Sequence, residues 1–400
     1  MGRKTRLRSQ GIPDADGLYM KSIPTKDLKP HGFFTKMVYL DRGFVLLAPE
    51  TPLTQDLVNR LSKWEFRSVW TDGECVDSIA PEGKSGEAKE GLVIAEGAGD
   101  KEKLEVIRAF LVEYIAFIEG VYSRFVTNSE LKYAEIAEKM RQICEVLNSN
   151  RKFVLRSLSL IEPHKNYLIA HAVNSSILSI LLGVTLKMPI ARLMELGAAA
   201  VLHEIGMVKL PPNLFMANRQ LSVEERRRIT AHTVLGYNIL KEQQAPLAVQ
   251  LSALEHHERM NASGYPRAMN GDQISLYAKI IMVACSYDAV TKARPYRQGK
   301  ESHEGILELL RNEGKQYDDL IIKALVITLS VYPIGSRVLL NNGKPGVVVD
   351  TNPDNPRFPI VQLFGIVNTD GSEVKIATSE SGVRISRSLT KAEVDVLPQD

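Results

Sequence analysis

Five short stretches of the 400-residue chain carry residues that could do chemistry: YLIAHAV with His171, LHEIG with His203 and Glu204, AHTVLG with His232, EHHERMNASGYP with His256 and His257, and MVACSYDAVTKARPYR from Met282 to Arg297. Neutral imidazoles with a carboxylate suit a divalent first-row metal at the border of hard and soft, such as iron, manganese or zinc. Adjacent donors such as His203 and Glu204, or His256 and His257, diverge by ~100° around a helix, so they are placed to straddle two ions rather than chelate one. A pair of ions ~3.5 to 4 Å apart can clamp both the attacking and the leaving oxygen of a phosphoryl group. Taken singly, His171 on an apolar helix face and His232 read equally well as structural histidines. Their joint occurrence with the HH pair and the GYP that follows it points to a site. His31, His164 and His303 belong to no pattern.

The elements that must position these residues are mostly helices. From about 163 to 331 the pattern stays helical, and Ser222 with Glu225 three residues on has the form of a capping box. Residues 101–162 form a helical connector, LEVIRAFLVEYIAFIEGVYSRF, ELKYAEIAEKMRQICEVLNSN and KFVLRSLSLI, whose apolar stripes need burial against one another, another domain or a second subunit. A homodimer is one expected outcome. Residues 21–77 read as a small α+β domain, with FFTKMVYL and FVLLAP as strands, TPLTQDLVNRLSKW as an amphipathic helix, and Trp64 and Trp70 in its core. Residues 78–100, rich in Gly, Glu, Ala and Lys, read as a flexible linker. Residues 332–400 form a β appendage and tail, in which GSRVLLNNGKPGVVVD and FPIVQLFGIV are strand runs parted by turn residues. The fold class is mainly α.

Composition narrows the function classes. A chain of this length exceeds a single core and implies several domains. With 44% hydrophobic and 24% charged residues it is of ordinary globular type. Lys+Arg 50 against Asp+Glu 47 gives a net charge of +3, too balanced to indicate a nucleic-acid partner. The basic opening MGRKTRLRSQ, within residues 1–20, reads as a solvated tail. No signal-peptide core follows it and no run reaches ~18 uninterrupted apolar residues, so a cytoplasmic location away from the membrane is expected. Cys75, Cys144 and Cys285 are widely spaced and form no disulfide or zinc-ribbon pattern, consistent with a reducing compartment.

The segment from Pro163 to Arg297 resembles the HD-GYP phosphodiesterases, a bacterial branch of the HD superfamily that degrades cyclic di-GMP. The markers are His171 after Tyr167, the HEIG run ending in Pro211, LSVEE before His232, HHER with NASGYP, and TKARPYR. The resemblance implies an HD-type helical bundle whose His171, His203, Glu204, His232, His256 and His257 bind two divalent ions, iron or manganese. Glu204 stands where the family's bridging acid stands, and Cys285 where a later helix contributes an aspartate ligand. His203 and Glu204 would then be catalytic, Tyr265 and Arg294 would lie beside the substrate, and Gly264 and Pro266 would shape the loop, Gly264 through backbone freedom. Tyr167 occupies the place of a glutamate that serves a third metal in some members, which implies a dinuclear site.

Three departures fall in or beside the implied site. Glu204 replaces Asp, and one methylene moves the carboxylate by ~1.5 Å, against the ~0.2 Å to which metal sites hold their distances. Met207 replaces a lysine expected to contact a substrate phosphate, a charge-assisted bond worth ~1.5 to 3 kcal/mol; Lys209 is the nearest substitute. Cys285 replaces the aspartate: as a thiolate it can bind iron or zinc, and as a thiol it is an ordinary buried residue of an apolar helix. Asp288, one turn later, matches a second family acid and could supply a carboxylate only if the helix rotated or shifted. Two readings follow. One is a phosphodiesterase with weakened turnover, yielding linear pGpG or GMP; the other is a degenerate domain acting as a cyclic dinucleotide sensor or protein interaction module.

Overall fold

The apolar-periodic patterns become helices, and the alternating runs at either end become two separate five-stranded sheets. The computed structural model describes residues 12–13, 19–36, 38–41, 44–47, 52–63, 67–77, 99–160, 166–215, 217, 219–292, 299–312, 315–352, 354–368, 372–389 and 391–394. Nearly all of the expected basic tail and linker, Trp64 and Arg294 lie outside them. Two units interleave along the chain: residues 1–89, 115–132 and 163–170 form one, and residues 90–114, 133–162 and 171–400 the other.

In the first unit the strands are β1 (Ile12–Pro13), β2 (Tyr19–Pro24), β3 (Phe33–Phe34), β4 (Val38–Asp41) and β5 (Phe44–Leu47), then helix α1 (Gln55–Lys63) and strands β6 (Ser68–Thr71) and β7 (Cys75–Val76). The larger sheet runs β1-β2-β6-β4-β5. Leu28, Phe34, Val38, Leu53, Leu57, Leu61 and Val69 form the core. Trp70, expected in that core, is only half-buried, because successive β6 side chains face opposite sides and Val69 takes the inner one.

Helices α2 (Asp100–Asn128) and α3 (Tyr133–Leu160) follow. The second and third helical patterns of the connector merge into α3, with a break at Asn150 (φ −133°, ψ 26°) where the two patterns meet. Next come α4 (Tyr167–Thr185), α5 (Ile190–Leu202), a 3-10 turn at Ile205–Lys209, α6 (Pro212–Phe215), α7 (Val223–Thr230), α8 (His232–Glu242), α9 (Leu247–Glu255), α10 (Leu276–Thr291), α11 (Ser302–Arg311) and α12 (Asp319–Leu329). The capping box of α7 forms as expected: the Glu225 N–H donates to Ser222 Oγ (3.1 Å) and the Ser222 N–H to Glu225 Oε2 (2.8 Å). Among the described residues α4 alone is long and apolar enough to cross a membrane, but 78% of that stretch is buried inside the protein and it carries His171, which marks it as a core helix.

In the second unit α5 packs on α3, α9 and α10, and α8 packs on α9 and on the 3-10 turn. The appendage comprises β8 (Arg337–Leu340), β9 (Pro345–Asp350), β10 (Ile360–Val367), β11 (Glu373–Ala377) and β12 (Ile385–Ser388), in the antiparallel order β11-β10-β9-β8-β12, followed by α13 (Lys391–Val394). Gly343, at φ +77°, closes the Asn-Gly turn between β8 and β9. Leu155 of α3 packs against the appendage core, and Lys152 lies 3.5 Å from Asp350.

Candidate metal centre

Helix ends position most of the donors. Helix α5 stops at Leu202; His203 keeps helical angles (φ −60°, ψ −29°) and Glu204 leaves them (φ −97°, ψ 9°). Glu204 then approaches the start of α8 because the next turn touches that helix by its backbone. A Cβ on Gly206 would lie 2.0 Å from the His232 carbonyl oxygen, so only glycine fits. His232 opens α8, His256 ends α9, His171 lies one turn into α4, and Cys285 comes from α10.

The buried imidazoles are oriented through Nδ1. His203 Nδ1 lies 2.7 Å from the Ala200 carbonyl, His232 Nδ1 2.7 Å from that of Ile229, and His256 Nδ1 3.0 Å from that of Ala253. His171 Nδ1 lies 2.6 Å from Asp288 Oδ2, and Asn174 Nδ2 donates to the other Asp288 oxygen at 2.8 Å. A carbonyl or carboxylate has no hydrogen to give, so each Nδ1 carries a proton, and each inward Nε2 presents a lone pair when the imidazole is neutral. Those lone pairs face one another: His171 Nε2 is 3.3 Å from His203 Nε2, and His232 Nε2 is 3.3 Å from His256 Nε2. Such contacts are attractive only with a proton or a metal cation between them.

The donors fall into two groups, His171, His203 and Cys285 in one and Glu204, His232, His256 and His257 in the other. Cys285 Sγ lies 3.2 Å from His203 Nε2. One oxygen of Glu204 is 4.0 Å from both His171 Nε2 and His203 Nε2, while the other is 3.3 Å from His232 Nε2. That second oxygen is buried and accepts no hydrogen bond. An orphaned carboxylate oxygen beside inward-facing imidazole lone pairs fits a cation and fits little else, because a buried unsatisfied anion is otherwise costly.

The donors are electrostatically coupled: burial lowers His203, but Cys285 and then Glu204 outweigh it and raise the group. Burial raises the Glu204 carboxyl, but His232, His203, His257 and His171 outweigh it and bring the group to about 2. Burial likewise raises the Cys285 thiol, and His203 and His171 bring it down to about 6. Burial, then the neighbouring imidazoles, holds His256 and His257 well below the ordinary histidine value, in the neutral form that ligates metals.

Beside this centre the GYP loop is pinned by two acids that sequence reasoning left unassigned. Glu258 is fully buried and accepts from the backbone N–H groups of Arg267 (2.8 Å) and Met269 (3.0 Å). Glu255, also buried, accepts from the Arg267 guanidinium (2.5 Å) and the Ser275 N–H (2.9 Å). The available signal was an acid on either side of the HH pair in a stretch that must approach the core. The Tyr265 ring stacks on His257 with centroids 4.7 Å apart. Gly264 is needed for a reason other than the expected backbone freedom. It has no positive φ, but a Cβ there would lie 2.4 Å from the Glu258 backbone.

Other expectations change. His203 and Glu204 divide between the groups, but His256 and His257 share one, because the chain leaves α9 between them instead of continuing its helical rotation. Asp288 reaches the site without any shift of α10, as the partner of His171 rather than as a donor. Met207 is buried and Lys209 exposed at the end of the 3-10 turn.

Residues 157–321 match the family model described as HD domain. The match covers less than half of the chain and takes in every donor of the two groups. His203–Glu204 and the tripeptide Gly264-Tyr265-Pro266 lie within the matched residues. The cyclic di-GMP phosphodiesterase PdeB of Borreliella burgdorferi is 27% identical over 58% of this chain and 62% of its own length. The cyclic di-GMP phosphodiesterase PA4108 of Pseudomonas aeruginosa is 32% identical over 52% of this chain and 51% of its own. The chain thus spans less than two thirds of either relative. Among solved structures, Bd1817, an HDG"Y"P protein from Bdellovibrio bacteriovorus, matches 76% of this chain and 98% of its own with a TM-score of 0.51 and 17% identity, a likeness of fold.

Proposed function

We propose that this HD domain is a metal-dependent phosphodiesterase that opens cyclic di-GMP to linear pGpG or GMP, with turnover weakened by its departures from the family pattern. The carrying observation is the Glu204 carboxylate, whose one oxygen faces His171 and His203 and whose other, orphaned oxygen faces His232. His171, His203 and Cys285 would hold one divalent ion and His232, His256 and His257 the other, with Glu204 between them, iron and manganese being the ions the resemblance implies. Bound ions of this kind supply an activated water and neutralise charge on the phosphate.

The chain's own residues do the rest. Imidazoles locked through Nδ1 hold their inner nitrogens without reorganisation, which preorganises the pocket. Tyr265, stacked on His257, offers an aromatic edge at the loop, and Arg294 and Lys209 are the cations assigned to the substrate phosphates. The relatives named for cyclic di-GMP support this substrate, and the test is direct. Protein purified anaerobically and supplied with iron or manganese is incubated with cyclic di-GMP, and the nucleotides are separated by chromatography beside a His203→Ala control. Histidine-dependent linear product is the expected result.

Met207 favours a second reading. Its buried thioether stands where a phosphate-binding lysine is expected, which removes a charge from the substrate side of the pocket. A folded protein that binds cyclic di-GMP and releases no linear product would be a sensor or an interaction module.

A further inference from the structure

We infer that the two metal positions are chemically unlike, the position of His171, His203 and Cys285 being a thiolate site that takes zinc in preference to the other. This deepens the metal-dependent reading above and rests on it. Cys285 Sγ, His203 Nε2 and His171 Nε2 converge in one buried group, with Sγ 3.2 Å from one imidazole nitrogen and the two nitrogens 3.3 Å apart. Ser175 Oγ, one turn beyond His171 and fully buried, lies 3.5 Å from Sγ and is placed to hydrogen-bond it.

No carboxylate of α10 can stand in for the sulfur. Asp288 is the acid one turn away, and both its oxygens are engaged, one with His171 Nδ1 at 2.6 Å and one with Asn174 Nδ2 at 2.8 Å. The donor that α10 brings to the group is therefore Cys285. The other group offers only nitrogen and oxygen. Thiolate is a soft donor that favours zinc strongly over manganese, whereas imidazole and carboxylate accept either, so with Glu204 between the two, the position that adds sulfur and the position that adds only nitrogen sort ions by donor type.

Cobalt(II) is the probe, because cobalt–thiolate bonds absorb in the near ultraviolet and cobalt–imidazole bonds do not. The full chain carrying Cys75→Ser, which removes the exposed thiol, is stripped with chelator and loaded with cobalt. The expected result is a sulfur-to-cobalt charge-transfer band that is lost in Cys285→Ser and Cys285→Asp and retained in His257→Ala. Circular dichroism verifies folding, and the aspartate variant supplies the comparison if the serine variant unfolds. Zinc titrated into the cobalt-loaded protein should erase the band within its first equivalent while the second cobalt stays bound. A band that falls evenly across both equivalents would overturn the sorting. Cobalt bound with no charge-transfer band would overturn the thiolate position and leave the metal-dependent reading standing. Failure of the stripped, folded protein to bind any cobalt would overturn that reading instead.

Discussion

Around His232 and His256 the imidazoles are oriented by carbonyls of the helical turn just before them, those of Ile229, Ser252 and Ala253, whereas His171 depends on side chains, Asp288 backed by Asn174. His203 is held like the first pair, through Ala200. Backbone anchors are independent of side-chain identity, so that half of the site resists substitution around it. The half built on α4 and α10 is orientable by a single carboxylate and has a thiol among its donors. The difference locates where this site can be retuned without refolding: at the α10 side, where the donor and the orienting acid are separate residues.

The largest effect should come from removing the donor that spans both halves. Glu204→Ala is expected to eliminate detectable hydrolysis and lower bound metal in both positions, exceeding the roughly 10–100-fold loss typical of a ligand's hydrogen-bond partner; elemental analysis beside the hydrolysis assay checks it. If only one ion is lost, the carboxylate does not span the halves. Next, Asp288→Ala should weaken the His171 position by about 10–100-fold in metal affinity and leave the His232 position within a few-fold, as read by chelator competition. Equal weakening of both positions would erase the contrast. Restoring the family residues together, Glu204→Asp, Met207→Lys and Cys285→Asp, should raise turnover about ten- to a hundredfold, the worth of one charge-assisted phosphate contact, and unchanged turnover would assign the impairment elsewhere.

Smaller effects probe the supports. Gly264→Ala puts a methyl into the Glu258 backbone and should destabilise the fold by about 1–3 kcal/mol in a denaturant titration. Ser222→Ala removes the cap of α7, the helix carrying the Ile229 carbonyl, and should cost about 1 kcal/mol with metal affinity unchanged. The same cap has an acid limit. The Arg219 guanidinium and then the Ser222 N–H hold the Glu225 carboxyl at about 2. A depressed carboxyl stabilises the fold above its unfolded value of ~4.3 and loses that contribution as pH falls toward 2, so Glu225→Gln should flatten the stability profile in that window.

Much of the site was legible because its anchors are local. A histidine at a helix end finds a carbonyl three residues back whatever the rest of the chain does, and His203, His232 and His256 all use one. The HEIG run was readable as an adjacent imidazole and carboxylate and as a family marker, whereas the contact that requires Gly206 shows only in the fold. The pairing of Asp288 with His171 was not legible because the two are 117 residues apart and no helical spacing relates them. Glu255 and Glu258 were missed because charge in a sequence reads as surface until the backbone N–H groups that satisfy it are placed.

Donor chemistry, helical periodicity, the cap at Ser222 and the Asn-Gly turn at Gly343 follow from residue types and short spacings, because each depends on a few consecutive bonds. Which donors share an ion does not. That Glu204 faces both groups, that His256 and His257 fall in one, and that sulfur rather than the nearby carboxylate reaches His203 were decided by the packing of α4, α5, α8, α9 and α10. Metal coordination is set at tenths of an ångström, and only the assembled helices hold side chains from distant segments to that tolerance.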